Sequence, residues 1–481
     1  MSALSARAVT LRTPSRAAAA ALPWMVCAAA LSAGVGVAVA EDATWLLISI
    51  ALPVGLALAI LRWPFPVVAL LLIVRAAMKN PFVDLLTLAG GALALAIAAP
   101  RLPGHRVILP LGAFLLFVLP FVPISPSHDE GLRPAWLYLP KTSIRYLPQP
   151  SAELEDWLRL ASVLVAFMLT AWAVRDARRL RRLVAAVLVS AVVPVVIGLK
   201  QLAQGELVVR AGFKAIQGPF THPNYFAFYL VVILTLGLVA FIEDRRLAVR
   251  APLAGLLAAA LLCLFETYTR SAWIGFCGVV LLLGVLRYKR LFVAGALALV
   301  VAAFAFPSSV HKVEQRFGDL SSRSASASSN SWTWRTGEWR RMLPYGYRRP
   351  FTGQGYGSYN RLTVQEFGTQ DPNYPTIADR NHPGESELGF AAHNDYVRAF
   401  VEDGVPGLVL WVLFLTGLVA VTWRGRRAGG GVAPYACAGV AIGCALIVMS
   451  GADNISGYTV VLVYAAALAG AVAGATRRAR G

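Results

Sequence analysis

A histidine, an asparagine and three acids crowd the point where this chain enters an apolar stretch: Ala392–Leu408 reads AHNDYVRAFVEDGVPGL. His393 and Asn394 open the segment, Asp395, Glu402 and Asp403 follow, and Gly404, Pro406 and Gly407 lead into the apolar run Leu408–Val421. Ionisable groups are expensive at the edge of a bilayer, so such a cluster marks a candidate functional site. Imidazole is the one side chain here whose ordinary pKa lets it trade protons near neutrality, which makes His393 the candidate base. His128, His222, His311 and His382 compete for that role, but none combines a span entrance with a neighbouring asparagine and acids. A helix starting near His393 sets Arg398 and Glu402 one turn apart, within reach of an ion pair.

Three other segments carry candidate cations. Arg210–Ala227, RAGFKAIQGPFTHPNYFA, gathers Arg210, Lys214 and His222 around the turn residues Gly218, Pro219 and Pro223. Two readings stand for it: phosphate binding beside a helix start, or anchoring at the interface by snorkelling side chains. Thr267–Gly275, TYTRSAWIG, isolates Arg270 between apolar stretches, where an anionic partner is expected and Glu266 is the internal alternative. A helix restarting at Ser271 would point backbone N–H groups the same way. Trp332–Trp339, WTWRTGEW, sets Arg335 among aromatic rings, and Arg340 and Arg341 follow. In Pro350–Tyr359, PFTGQGYGSY, the residues Gly353, Gly355 and Gly357 permit close backbone approach. They lack the last glycine of a dinucleotide fingerprint and stand in no βαβ unit. The chain has no D-x-D; Glu153-x-Glu155 and Glu385-x-Glu387 come nearest, so arginine is the expected charge partner and no metal or other cofactor is expected.

These residues need a frame, and composition supplies it. Of 481 residues 57% are hydrophobic and 14% charged. Apolar stretches near the bilayer-spanning length recur along the whole chain, which is therefore an all-α polytopic membrane protein with about 12–14 transmembrane helices. The net charge of +19 falls mostly in short clusters between apolar stretches. That pattern means orientation signals and contact with membrane lipids, not nucleic acid. With Arg7, Arg12 and Arg16 in the cytoplasm, Arg175–Arg182, Arg245–Arg250, Arg287–Arg290, Arg424–Arg427 and Arg477–Arg480 fall on the same side. The other side receives Ser125–Glu153, Lys200–His222, the Tyr268–Ala272 junction and Pro307–Asp403, the last about 95 residues against the usual handful. Its Leu320–Ser331 part reads as a flexible linker, and its later part as short helices and turns over the membrane mouth. The first span, Ala19–Ala40, ends in a signal-like Ala38-Val39-Ala40 but is long enough to be an uncleaved helix, and Phe65–Val74 is short for a span. Cys27, Cys263, Cys277, Cys437 and Cys444 lie in apolar stretches as small buried hydrophobes.

In order, GPFTHPNYFA, TRSAWIG, WRTGEW, PFTGQGYG and HNDYVRAFVEDGVPG resemble the successive signatures of the O-antigen ligase and polymerase family of bacterial inner membranes. The resemblance implies three regions: N-terminal helices 1–199, a ligase-like domain 200–423 including a periplasmic loop 307–403, and C-terminal helices 424–481. It implies a GT-C-like glycosyltransferase, inverting and metal-independent, acting on an undecaprenyl-diphosphate-linked glycan outside the inner membrane. The acceptor would be lipid A-core, as for a lipopolysaccharide ligase, or a growing glycan, as for a polymerase. His393 would be the base, Arg270, Arg210 and Arg335 the diphosphate ligands, and Asn394 and Glu402 supporting residues. A polysaccharide transporter or flippase is the non-enzymatic alternative. Candidate residues that gather on one membrane face, with no inverted repeat of the spans, speak against it.

Overall fold

The computed structural model describes residues 44–78, 82–98, 106, 108–122, 152–210, 213–293, 295, 332–367, 391–429 and 431–478. The span Ala19–Ala40, the linker Leu320–Ser331, Glu385-x-Glu387, Cys27, His128, His311 and His382 lie outside the described residues. Helices α1 (Thr44–Arg62), α2 (Pro64–Arg75), α3 (Phe82–Ala98), α4 (Leu109–Val118) and α5 (Ala152–Ala173) come first, then α6 (Ala177–Ser190) and α7 (Val192–Gln204). A short antiparallel hairpin, β1 (Val208–Arg210) and β2 (Phe213–Ala215), precedes α8 (Pro223–Glu243), α9 (Leu247–Glu266) and α10 (Arg270–Leu286). Next stand α11 (Trp332–Arg348) and α12 (Tyr359–Phe367), and the chain closes with α13 (Asp395–Gly425), α14 (Ala433–Ser450) and α15 (Thr459–Arg478). The fold is an all-α, multi-pass membrane bundle. Among the described residues seven helical stretches are long and apolar enough to cross a membrane, with five shorter apolar helices beside them. Helix α2, over the expected short span, is one of the short ones.

The bundle is built around helices that are apolar on every side. Helices α8, α14 and α15 are mostly buried, whereas α9 leaves much of its apolar surface outward, as a helix facing lipid does. Where lipid is as apolar as the protein, helices associate through close packing, and small residues make it possible. On α15 a Cβ at Gly470 would stand 2.3 Å from the Phe167 carbonyl oxygen, and one at Gly474 would stand 2.2 Å from that of Val174, so α5 and α15 touch backbone to backbone.

One end of the bundle is basic. Arg287 Nε lies 3.3 Å from Glu243 Oε1, which ties the end of α10 to the end of α8. Gly431 lies beside Ala177, and Gly425 against Ala436 and Thr476, so the clusters around Arg181, Arg287, Arg426 and Arg477 gather at this end. Part of the basic cluster Arg175–Arg182 is itself helical: α6 starts at Ala177 because Asp176 caps it, accepting from the Arg179 amide at 2.8 Å. Cys263 and Cys437 are buried, but Cys277 is exposed, which corrects the expectation for that residue. It stands on the outward side of α10, away from the face that packs on α14.

Candidate active site

At the opposite end, three helix starts and one helix-to-helix turn meet on a single carboxylate. Asp453, in the turn between α14 and α15, is 1% exposed. Its Oδ1 accepts from its neighbour Asn454 N at 2.8 Å and from Tyr458 Oη at 3.1 Å, and stands 3.3 Å from His393 Nδ1. Its Oδ2 accepts from the side-chain amide of Asn224, whose oxygen in turn accepts from Thr269 Oγ1 at 3.0 Å. Asn224 lies in the first turn of α8, Thr269 immediately before α10, and His393 two residues before α13. Burial opposes charge on Asp453, but the hydrogen bond and charge of His393, with the charges of Arg335 and His222, outweigh it and hold the carboxyl well below the usual carboxylate range.

Each approach to this hub is fixed by local chemistry. Asn394 caps α13, its side-chain oxygen accepting from the Tyr396 and Val397 amides at 2.9 and 3.2 Å. The helix therefore begins after His393. His393 itself takes φ 46°, a left-handed backbone that costs a non-glycine residue about 1–2 kcal/mol. Neighbours impose it: Trp339 Nε1 donates to the Ala392 carbonyl at 2.7 Å, and the Asn394 amide donates to Asn454 Oδ1 at 3.2 Å. Tyr268, before Thr269, is the other positive-φ non-glycine among the described residues, at 52°. Strain of this kind collects at functional sites. His222 caps α8, its Nδ1 accepting from the Asn224 amide at 3.1 Å, and Gln201 holds the Gln217–Gly218 turn just before it.

The orientation of His393 suits a base. A neutral imidazole that faces a carboxylate with Nδ1 carries its proton there and leaves the Nε2 lone pair outward. The side chain is 22% exposed, enough to be reached from outside. Arg335 joins the same turn, Nη1 donating to the Ala452 carbonyl at 2.7 Å, while its buried Nε has no hydrogen-bond partner among the described residues. Arg270 is the first residue of α10, directly after Thr269 of the network. Arg210 is placed by its backbone alone, paired with Phe213 next to the hairpin turn; just after the second strand, Ile216 N donates to the Glu266 carbonyl of α9 at 3.1 Å. The starts of α8, α10 and α13 add partial positive charge, which favours an anion here.

Glu402 and the alternating glycines form a clasp beneath the site. Helix α13 breaks at Gly404, where φ is 69° and ψ −165°. Pro350–Gly355 runs against that break: the Gly355 amide donates to the Glu402 carbonyl at 2.8 Å, and Val405 N donates to that of Pro350 at 2.7 Å. A Cβ at Gly353 would stand 2.2 Å from the Glu402 carbonyl oxygen, so only glycine fits. The Glu402 carboxylate takes Arg398 Nε at 3.0 Å, the ion pair expected from their spacing, and the Tyr359 amide at 3.0 Å. It supports the start of α13 and does not face the hub. Glu155, half of the E-x-E pair, lies 3.9 Å from Arg159, while Glu153 packs on Gly357.

Residues 253–412 match the family model described as O-antigen ligase. That stretch, a third of the chain, is similar to the O-antigen ligase family. No curated protein matches the chain by sequence. The O-antigen ligase match includes Thr269, Arg270, Arg335, His393, Asn394 and Glu402, and leaves out Arg210, His222, Asn224 and Asp453. Sequence reasoning missed Asp453. The available signal was an acid in the short Ser450–Tyr458 turn, between two apolar stretches and on the side expected to hold the other candidates. Glu338 was passed over too, although it stands in WRTGEW. It is 2% exposed one turn from Arg335, and burial pushes its pKa up to about 8 against the pull of the Tyr359 hydroxyl and the Arg335 charge. Kept neutral, it does not compete with Asp453 for the Arg335 charge.

Proposed function

We propose that this chain transfers a glycan from an undecaprenyl-diphosphate-linked donor to an acceptor hydroxyl at the periplasmic face of the bacterial inner membrane. The observation that carries the reading is His393 Nδ1 held 3.3 Å from buried Asp453, on the turn that Arg335 also grips. In the proposed step the acceptor oxygen attacks the anomeric carbon and its proton passes to His393 Nε2. The bond from that carbon to the diphosphate oxygen breaks, and the electron pair leaves with the lipid diphosphate. The growing charge meets Arg270, Arg335 and Arg210 and the helix starts around them, as fixed cations and dipoles stabilise a leaving anion. Direct displacement inverts the anomeric centre, without a covalent intermediate or a metal.

The match of residues 253–412 to the O-antigen ligase family supports ligase- or polymerase-type transfer in general, and the acceptor separates the two. Lipid-linked glycans from a deletion strain test the reading. Loss of a ligase leaves lipid-linked polymer that never reaches lipid A-core, whereas loss of a polymerase leaves single repeats. Donor trapped on the cytoplasmic side would overturn transfer in favour of a flippase. Cysteine labelling gives the sidedness: positions 270, 335 and 393 should react from the periplasm, and 178, 288 and 426 only once the cytoplasmic side is opened.

A further inference from the structure

Helix α11 has two faces of different chemistry. Arg335, Glu338, Met342 and Gly346 turn inward, Gly346 so closely that a Cβ would stand 2.6 Å from the Phe400 ring. The exposed stripe carries Arg340, Arg341, Tyr347 and Arg348 and continues into Arg349 and Phe351. It has four arginines and no acid, and its two aromatic residues stand outward, Tyr347 at 69% and Phe351 at 74% exposure. Arg348 lies over the Tyr345 ring at 5.1 Å, and the nearby carboxylate of Glu366 is engaged by Tyr345 Oη at 2.9 Å.

This face sits at the top of a lipid-facing strip. The Val405 N to Pro350 carbonyl bond joins it to α13 where that helix resumes beyond its break, and Val405, Val409 and Leu413 run outward below it. An amphiphile whose tail lies along that strip brings its headgroup to Arg348 and Arg349. Guanidinium groups match phosphate by charge and by planar two-point geometry. Aromatic side chains at the same level bind an interface. Along the helix, Arg348 is thirteen residues from Arg335, or roughly 20 Å at the α-helical rise. A bulk phospholipid headgroup does not bridge that distance. A lipid-anchored oligosaccharide does, with phosphate near its lipid and its accepting hydroxyl at the other end.

We propose that the basic face of α11 binds the phosphate groups of a lipid-anchored oligosaccharide acceptor and so selects phosphorylated acceptors; this rests on the transferase reading of the neighbouring site. The test uses the full chain in nanodiscs of neutral phosphatidylcholine, with purified lipid A-core as probe in native and chemically dephosphorylated forms. Binding is measured directly, without donor, and KM is measured separately with donor. The wild type should bind the phosphorylated probe roughly ten- to a hundredfold more tightly. R340Q/R348Q/R349Q should lose that preference while binding of the dephosphorylated probe stays unchanged, and R340K/R348K/R349K should keep most of it. With donor, the glutamine variant should raise KM for the phosphorylated acceptor and leave kcat within about twofold. Equal binding of both probe forms by the wild type would overturn the proposal, as would a loss in the glutamine variant that ignores probe phosphate. Disappearance of the preference when phosphatidylglycerol is added would assign the face to bulk anionic lipid instead. A phosphate preference in binding without turnover, either of lipid A-core or of the lipid-linked glycan itself as acceptor, would leave this site standing and sink the transferase reading alone.

Discussion

Two buried aspartates at the same end of the bundle are held in opposite ways. Asp84, at the start of α3, is 2% exposed, and both its oxygens are clamped by Arg75 through Nε and Nη2; Thr459 Oγ1 adds a contact at 3.3 Å and Arg159 Nε stands 3.7 Å away. Asp453 is equally buried, but its partners are a backbone amide, an asparagine amide, a tyrosine hydroxyl and one imidazole. The first carboxylate is neutralised by a fixed cation with a matching fork, an arrangement that joins helices and leaves nothing over for a substrate. The second has no guanidinium fork on it: its direct partners are single donors, with the Arg335 charge near by, and one of them is the side chain that can exchange a proton. The difference lies in what each carboxylate faces, not in how deeply it is buried.

Substitution should break the comparison cleanly. The largest effect is expected at His393: His393→Ala should reduce turnover about 10²–10⁴-fold, the range for a lost general base, while donor affinity stays near wild type. Asp453→Asn should fall in the same range with the fold intact. Normal turnover in a well-expressed His393→Ala protein would make the residue a structural element of the helix entrance.

At the other aspartate the loss should appear in stability. Arg75→Ala leaves the Asp84 charge buried without its clamp and should destabilise by about 3–5 kcal/mol, whereas the paired replacement Arg75→Met with Asp84→Leu should recover most of that and retain transfer. Thermal unfolding in a defined detergent measures both. An Arg75→Ala protein as stable as wild type but inactive would move the clamp into the site.

Glu338 sharpens the contrast by titration. Its folded pKa is raised, to about 8, so the folded carboxyl stays protonated while the unfolded one ionises from about pH 4.3 upward. Stability should therefore fall as pH rises between those values, and Glu338→Gln should abolish the slope with a gain on the order of 1–3 kcal/mol at neutral pH. Asp453 has the opposite sign. Its folded pKa is depressed, so its contribution is present above the ordinary carboxylate range and is lost as pH falls through it; the stability difference between wild type and Asp453→Asn should shrink as the pH drops below about 4. The smallest expected effect is none: excess chelator should leave transfer by the purified protein unchanged, and an activity restored by magnesium or manganese would show that the arginines are not the charge-stabilising groups.

Much of this was legible from residue types alone. Long apolar stretches can only be helices in a bilayer, and one-sided arginine clusters follow from the cost of moving them across it. The Arg398–Glu402 pair follows from helical spacing, and the alternating glycines near Gly353 from the need for close backbone approach. His393, Asn394, Arg270 and Arg335 stand out because charge beside an apolar stretch demands an explanation. What the sequence could not tell was which of these residues share a point in space. Asp453 is sixty residues from His393 and 229 from Asn224, and only the packing of α8, α10, α13 and α15 around α14 brings them to one carboxylate. Local pattern determines which segments become helices and which side chains are costly to bury. Which helix ends meet, and therefore which acid orients the histidine, is decided by contacts between distant segments that leave no periodicity in the chain.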